Sequence, residues 1–289
     1  MAWRKHGAAV KLSAFPAAAA VALLILTASY ATRTVAAAPA TQPAVTLAAP
    51  VASPAWAFAS NTFDLKSLLG MPPAADSDIQ HSEIEQILQL QANRTDADVK
   101  RITVEDTATV FIFSKALGSW FTEKNLPATN KTMGDVYAQI KAQVTAPGKA
   151  MFGRPRPPLA DARIHPCLPL EKSAAFPSAH ATRFAAWAAL IGNVFPDRAA
   201  ELKAIAHRVG TDRVLAGEHF PSDVAAGEKL GAAIAAHLLA DANFQSDFGR
   251  VKAECRAAQA ALGNSTASPA DSGPVPAAEP MPAAAGKGM

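Results

Sequence analysis

Apolar residues recur at helical spacing through the middle of this chain, and strand-like alternation is hardly seen. Ile84, Ile87 and Leu88 begin one stripe, and Val136, Ile140 and Val144 mark a second at i, i+4 and i+8. Phe184, Trp187, Ile191 and Val194 make a third, on a helix that starts near Ser178. Leu202, Ile205 and Val209 follow Pro196-Asp197, a helix-opening pair. The last long helix runs from Pro221 to about Ala240, with Val224, Gly227, Gly231, Ile234 and Leu238 on one face. Two glycines there lower helix preference, and close approach of a neighbouring helix is the physical reason to keep them. The expected fold class is all-α, a single helical-bundle domain. There is no internal repeat.

The ends differ from the middle. Arg4, Lys5 and Lys11 precede an apolar run from Ala17 to Ala28, and Ser29-Tyr30-Ala31 and Val35-Ala36-Ala37 are both shaped like cleavage sites. The competing assignment is a retained membrane anchor, but the run is shorter than the ~20 residues that cross a bilayer. Residues 1–37 are therefore expected to be a Sec-type signal peptide, placing the protein in the periplasm or outside the cell. Residues 38–60 have the composition of an Ala/Pro-rich flexible leader, 61–262 of a folded domain, and 263–289 of a disordered Ala/Pro tail. The chain has 27 basic and 24 acidic residues, and removing the signal leaves 23 against 24. A near-neutral mature protein without a basic stripe gives no footprint for nucleic acid. Cys167 and Cys255 either form one disulfide in an oxidising compartment or stay as two thiols too far apart to meet.

Three stretches carry chemistry: Lys149 to Pro157, Pro177-Ser178-Ala179-His180, and Arg213 to Asp223. They contribute cations, two histidines, a hydroxyl and a carboxylate, without a metal-ligand cluster. A phosphoryl group in flight spreads charge over its equatorial oxygens, so fixed cations and donors around it do most of the catalytic work. Asp223, in the first turn of a helix, can accept a hydrogen bond from one nitrogen of His219 and leave the other free to attack phosphorus. Arg213 and Arg156 supply planar forks for phosphate oxygens, and Lys149 a point charge. Ser178 and the free first-turn amides, that of Ala179 included, suit an anion, and His180 stands where a leaving-group acid is needed. Each residue alone has a plainer role: Ser178 as an N-cap, Asp223 as a first-turn acid, the cations as solvated surface charges. Arg154, out of register with Lys149, belongs with the solvated cations.

The pattern Lys-x6-Arg-Pro, Pro-Ser-Gly-His and Ser-Arg-x5-His-x3-Asp resembles that of the phosphatidic-acid-phosphatase/vanadium-haloperoxidase superfamily, and within it the class A bacterial nonspecific acid phosphatases. The likeness runs from about Asp64 through Glu254 and includes Phe121-Thr122-Glu123-Lys124. It implies the helical fold of that superfamily and a metal-independent phosphate-monoester hydrolase with no cofactor. It also implies a phosphohistidine at His219 with Asp223 as partner, His180 as acid, phosphate held by Lys149, Arg156, Ser178, Ala179 and Arg213, and a possible homo-oligomer. Two positions depart from the pattern: Ala179 replaces Gly, and Asp212 replaces Ser, where a carboxylate either pairs with Arg213 or points away. Competing activities are vanadate-dependent halide oxidation, which uses the same residue set, a lipid phosphatase, and a non-catalytic phosphate-binding module. The leaving-group wall is expected in the loops 159–176 and 121–132.

Overall fold

The computed structural model describes residues 54–59 and 61–263, so the signal and tail assignments lie outside the described residues. Among the described residues eleven α-helices follow in order: α1 Leu65–Leu69, α2 Asp78–Asn93, α3 Asp96–Asp106, α4 Ser114–Leu117, α5 Pro127–Gln139, α6 Ala146–Phe152, α7 Pro157–Ala160, α8 Ala179–Val194, α9 Ala199–Leu215, α10 Pro221–Ala240 and α11 Ala242–Leu262. No strand occurs among the described residues. The fold is all-α, as the periodicity requires.

The N-termini are closed by the side chains that favour this position. Ser77 accepts from the Gln80 amide at 3.2 Å, Thr95 and Asp98 form a reciprocal capping box, and Asp241 accepts from the Phe244 amide at 2.9 Å. Between α5 and α6 the helix widens into a π-helical turn over Ile140–Thr145. Pro147 lies just beyond it and has no N–H to give to an upstream carbonyl, and a widened turn accommodates that loss. The stripe survives the change of pitch: Val136, Ile140 and Val144 are all buried.

Helix α8 is the centre of the bundle, packed most extensively on α10 and α9. Its alanines keep the neighbouring backbones close, and Gly227 and Gly231 of α10 are the contact points. A Cβ on Gly227 would stand 2.6 Å from the Ser178 carbonyl oxygen, and one on Gly231 2.4 Å from that of Thr182. The close approach inferred from those glycines is therefore real. It also aligns two helix ends, because the Ser178 amide donates to the Asp223 carbonyl at 3.0 Å and so clamps the N-termini of α8 and α10 side by side.

The packed region begins earlier than residue 61. Trp56 and Phe58, assigned from composition to the flexible leader, are buried in the main core. Trp56 meets the Phe244 ring edge-on at 5.2 Å and donates its indole N–H to Asp247 at 2.8 Å. A Trp and a Phe in an Ala/Pro-rich stretch carry enough apolar surface to anchor it. Cys167 and Cys255 are unpaired thiols, the first half-buried, the second buried against the Thr129 hydroxyl.

Candidate active site

Four element ends converge on one point. Helix α6 carries Lys149, and the Pro-rich turn after it carries Arg156. The N-terminus of α8 supplies Ser178, Ala179 and His180. The last turn of α9 supplies Arg213, and the turn beyond it, through Gly217 with φ +77°, delivers His219 to the start of α10. Amides of Glu218 and His219 both donate to the Arg213 carbonyl, at 3.1 and 3.3 Å, which ties the turn to the helix it leaves. Two helix N-termini thus face the site, and their dipoles favour an anion there.

His219 is 1% exposed. Its Nδ1 lies 3.3 Å from Asp223 Oδ2, which also accepts from the Phe220 amide at 2.8 Å, while Nε2 lies 3.4 Å from the Arg156 guanidinium. Burial, then the charges of Lys149, Arg156 and Arg213, hold the imidazole well below its ordinary pKa, so Nε2 keeps its lone pair. His180 Nε2 stands 3.0 Å from the Asp106 carbonyl oxygen and 3.4 Å from its carboxylate. Burial, with Arg213 and Arg183 nearby, pushes His180 well down too, and the Asp106 carbonyl opposes that by accepting a hydrogen bond from the ring N–H. Burial and the Arg156 charge bring Lys149 down to about 8.

Arg156 is fully engaged. It donates to the Ser173 carbonyl at 2.8 Å, to Glu218 Oε2 at 2.8 Å and to Glu171 Oε2 at 2.6 Å. Arg213 donates to Asp106 at 2.8 Å, and its Nη2 lies 3.9 Å from Glu171. Burial works against the Glu171 charge, but Arg156 and Lys149 outweigh it and hold that carboxyl below its ordinary range. An internal carboxylate therefore lies among the cations that sequence assigned to phosphate. Glu218, 0% exposed, is pushed up by burial against the pull of Arg156 and Arg213.

Ser178 is buried and caps α8, its Oγ accepting from the Ala181 amide at 3.3 Å. Ala179 lies in the first helical turn, where L-residues need no positive φ, and its amide has no acceptor within the helix. The Gly-to-Ala departure is thus accommodated. Asp212 turns away from Arg213 and pairs with Arg101 at 2.8 Å and Arg208 at 3.2 Å. Arg154 corrects the expectation of a solvated cation. It is buried and donates to Asp223 Oδ1 at 2.6 Å, Ser222 at 2.7 Å, Glu83 at 2.8 Å and Gln80 at 2.5 Å, with its guanidinium 4.0 Å above the Phe220 ring. Its partners on α2 are about seventy residues away in sequence, beyond any spacing rule. Asp106 was also missed, although a signal for it existed. Glu105 and Asp106 are acids at the C-terminus of α3, where the helix dipole disfavours them, and each is held by an arginine, Arg208 and Arg213.

The site opens into a cavity of about 600 Å³. Tyr137, Lys141, Thr145 and Lys149 form one wall, four residues apart along the α5–α6 rod, and Ala179, His180 and Arg183 form another. Glu171, Ser173 and Ala174 contribute from the 159–176 loop, as expected. The 121–132 segment contributes nothing to this lining, because Pro127 already starts α5 and turns it toward α11. Among the described residues, no cluster of His, Cys, Asp or Glu is placed to share a metal ion, and no helix is long and apolar enough to cross a membrane.

Comparison with known proteins finds relatives over part of the chain. Over 164 residues the chain is 33% identical to the non-specific acid phosphatase of Salmonella typhimurium, covering 55% of this chain and 63% of that protein. A non-specific acid phosphatase of Providencia stuartii is 26% identical over 146 residues, covering 49% and 59%. An acid phosphatase of Zymomonas mobilis is 32% identical over 90 residues, covering 31% and 34%. The chain thus spans less than two thirds of the length of these relatives. The PAP2 superfamily model matches residues 136–246, a span that holds Lys149, Arg156, Ser178, His180, Arg213, His219 and Asp223. Over residues 136–246, then, this chain is similar to the PAP2 superfamily.

Proposed function

We propose that the protein is an exported acid phosphatase that hydrolyses phosphate monoesters through a phosphohistidine on His219, with side-chain cations in place of a metal. One observation carries the reading: the His219 ring is held between Asp223 and Arg156, buried, with Lys149, Arg213 and His180 around the same point. The names of its relatives support the substrate class.

In the first step Nε2 of His219 attacks phosphorus as the ester P–O bond breaks, and protonated His180 gives its proton to the departing oxygen. Asp223 accepts from Nδ1 and stabilises the cationic ring as the N–P bond forms. In the second step water attacks phosphorus, His180 takes its proton, and the electron pair of the N–P bond returns to Nε2. Arg156, Arg213 and Lys149, with the first-turn amides of α8, oppose the charge on the equatorial oxygens. Substrate phosphate displaces the Glu171 carboxylate from these cations. An export signal at residues 1–37 belongs to the same reading.

Rapid quench with labelled p-nitrophenyl phosphate, in the presence of chelator, tests it. An acid-labile, alkali-stable phosphoenzyme is expected, and His219→Ala is expected to lose both the label and at least ~10³-fold in kcat. A fully active His219→Ala protein, or loss of activity on chelation alone, would refute it.

A further inference from the structure

Arg183 lies one turn beyond His180 on the face of α8 that borders the cavity, and the two-step reaction gives it no work. It is 5% exposed, and its Nε and Nη2 meet no acceptor among the described residues. The guanidinium lies 4.6 Å from the Tyr137 ring, 4.6 Å from Phe184 and 5.4 Å from Trp187. Stacking of this kind holds the plane of an arginine without satisfying its N–H groups. Burial accordingly pushes Arg183 below its ordinary range, with the Tyr137 hydroxyl and Asp106 opposing the shift and Arg213 adding to it. A cation buried with unpaired donors is costly unless an anion joins it.

The surroundings suit such an anion. Lys141, Lys149 and Arg183 are the cationic residues that line the cavity, and Glu171 is its acid, engaged with Arg156. A single phosphate does not fill about 600 Å³, which is the size of pocket that takes a larger organic ligand. Beside the ring around His219 there is room for a second group.

We propose that Arg183, with Lys141 and the Tyr137 hydroxyl, forms a second anion subsite, and that the preferred substrates are phosphate compounds whose leaving group itself carries a phosphate or a carboxylate. The inference rests on the phosphatase reading above and names its substrate class. With inorganic pyrophosphate, the bridging P–O bond breaks as His219 attacks, and the electron pair leaves on the second phosphate, against Arg183. With a phosphorylated hydroxy acid, the carboxylate of the leaving alcohol takes that place.

The test compares kcat/KM for pyrophosphate, 3-phosphoglycerate and p-nitrophenyl phosphate in the full chain and in Arg183→Met, Arg183→Lys and Lys141→Gln. Methionine keeps the packing against the rings, and Lys141 is exposed, so its variant is expected to fold as the wild type does. Profiles are taken across pH because the Arg183 charge acts on His180. Arg183→Met is expected to lower kcat/KM for the two substrates that carry a second anionic group by about tenfold, and Lys141→Gln by a few-fold, with p-nitrophenyl phosphate within about twofold. Arg183→Lys is expected to recover part of the loss. A response confined to one of the two anions assigns the subsite to that anion. Equal losses on all three substrates, or none on either anion, overturn the subsite and leave the phosphatase reading standing. If the wild-type chain cleaves no substrate, the phosphatase reading fails, and calorimetry decides the subsite separately. Pyrophosphate must then bind more tightly than phosphate to the wild type and not to Arg183→Met; equal ratios overturn it.

Discussion

Arg154 bridges Asp223 to Glu83 and Gln80 of α2 without bordering the cavity, so in the proposed mechanism it positions the nucleophile through another residue. Arg154→Met is expected to lower kcat about 10–100-fold with KM nearly unchanged, since small misplacement of a reacting group costs that much. It also strands two buried carboxylates, and chemical denaturation is expected to register a loss of about 3–5 kcal/mol. Under the proposed mechanism the two histidines set the pH profile. Free His180 must hold a proton that burial and Arg213 disfavour, so kcat/KM is expected to fall as pH rises through the acidic range, below the ordinary histidine value of 6.5. A bound phosphate dianion favours the imidazolium, so the descending limb of kcat should sit at higher pH than that of kcat/KM. Lys149 is charged below about 8 and neutral above it, so inhibition by inorganic phosphate should weaken as pH rises through that value. Initial rates across pH, with and without phosphate, check both statements.

At the scale of elements, the α8–α10 contact holds the site together. The carbonyl that a Gly227 Cβ would strike belongs to Ser178, whose own amide is bonded to Asp223. Gly227→Ala must therefore part the two helix N-termini that carry His180 and Asp223. It is expected to cost about 1–3 kcal/mol as overpacking, and to lower kcat as well as the melting temperature. Helix formation itself was legible: the stripes through Ile84, Val136, Phe184, Leu202 and Val224 all lie on helices, and α10 begins and ends at Pro221 and Ala240. The π-turn at Ile140–Thr145 was not legible, because Pro147 marks a break in the hydrogen-bond ladder without fixing whether the helix ends, kinks or widens there.

Across the whole molecule, the folded region extends to the aromatic anchor before residue 61. Trp56→Ala removes an indole that is 3% exposed and its bond to Asp247, and is expected to destabilise by about 3–5 kcal/mol while leaving KM for p-nitrophenyl phosphate unchanged. Denaturant titration beside steady-state kinetics separates the two effects. The local patterns by themselves determined the all-helical class, the starts of α8 and α10, and the identity of the seven motif residues, because spacing along one helix or turn is a property of neighbours in the chain. Only the tertiary structure decided the surroundings of Arg154, Asp106, Glu171 and Arg183. Their charges are balanced or left unbalanced by groups dozens of residues away, and burial, which makes those charges matter, exists only once the helices have packed.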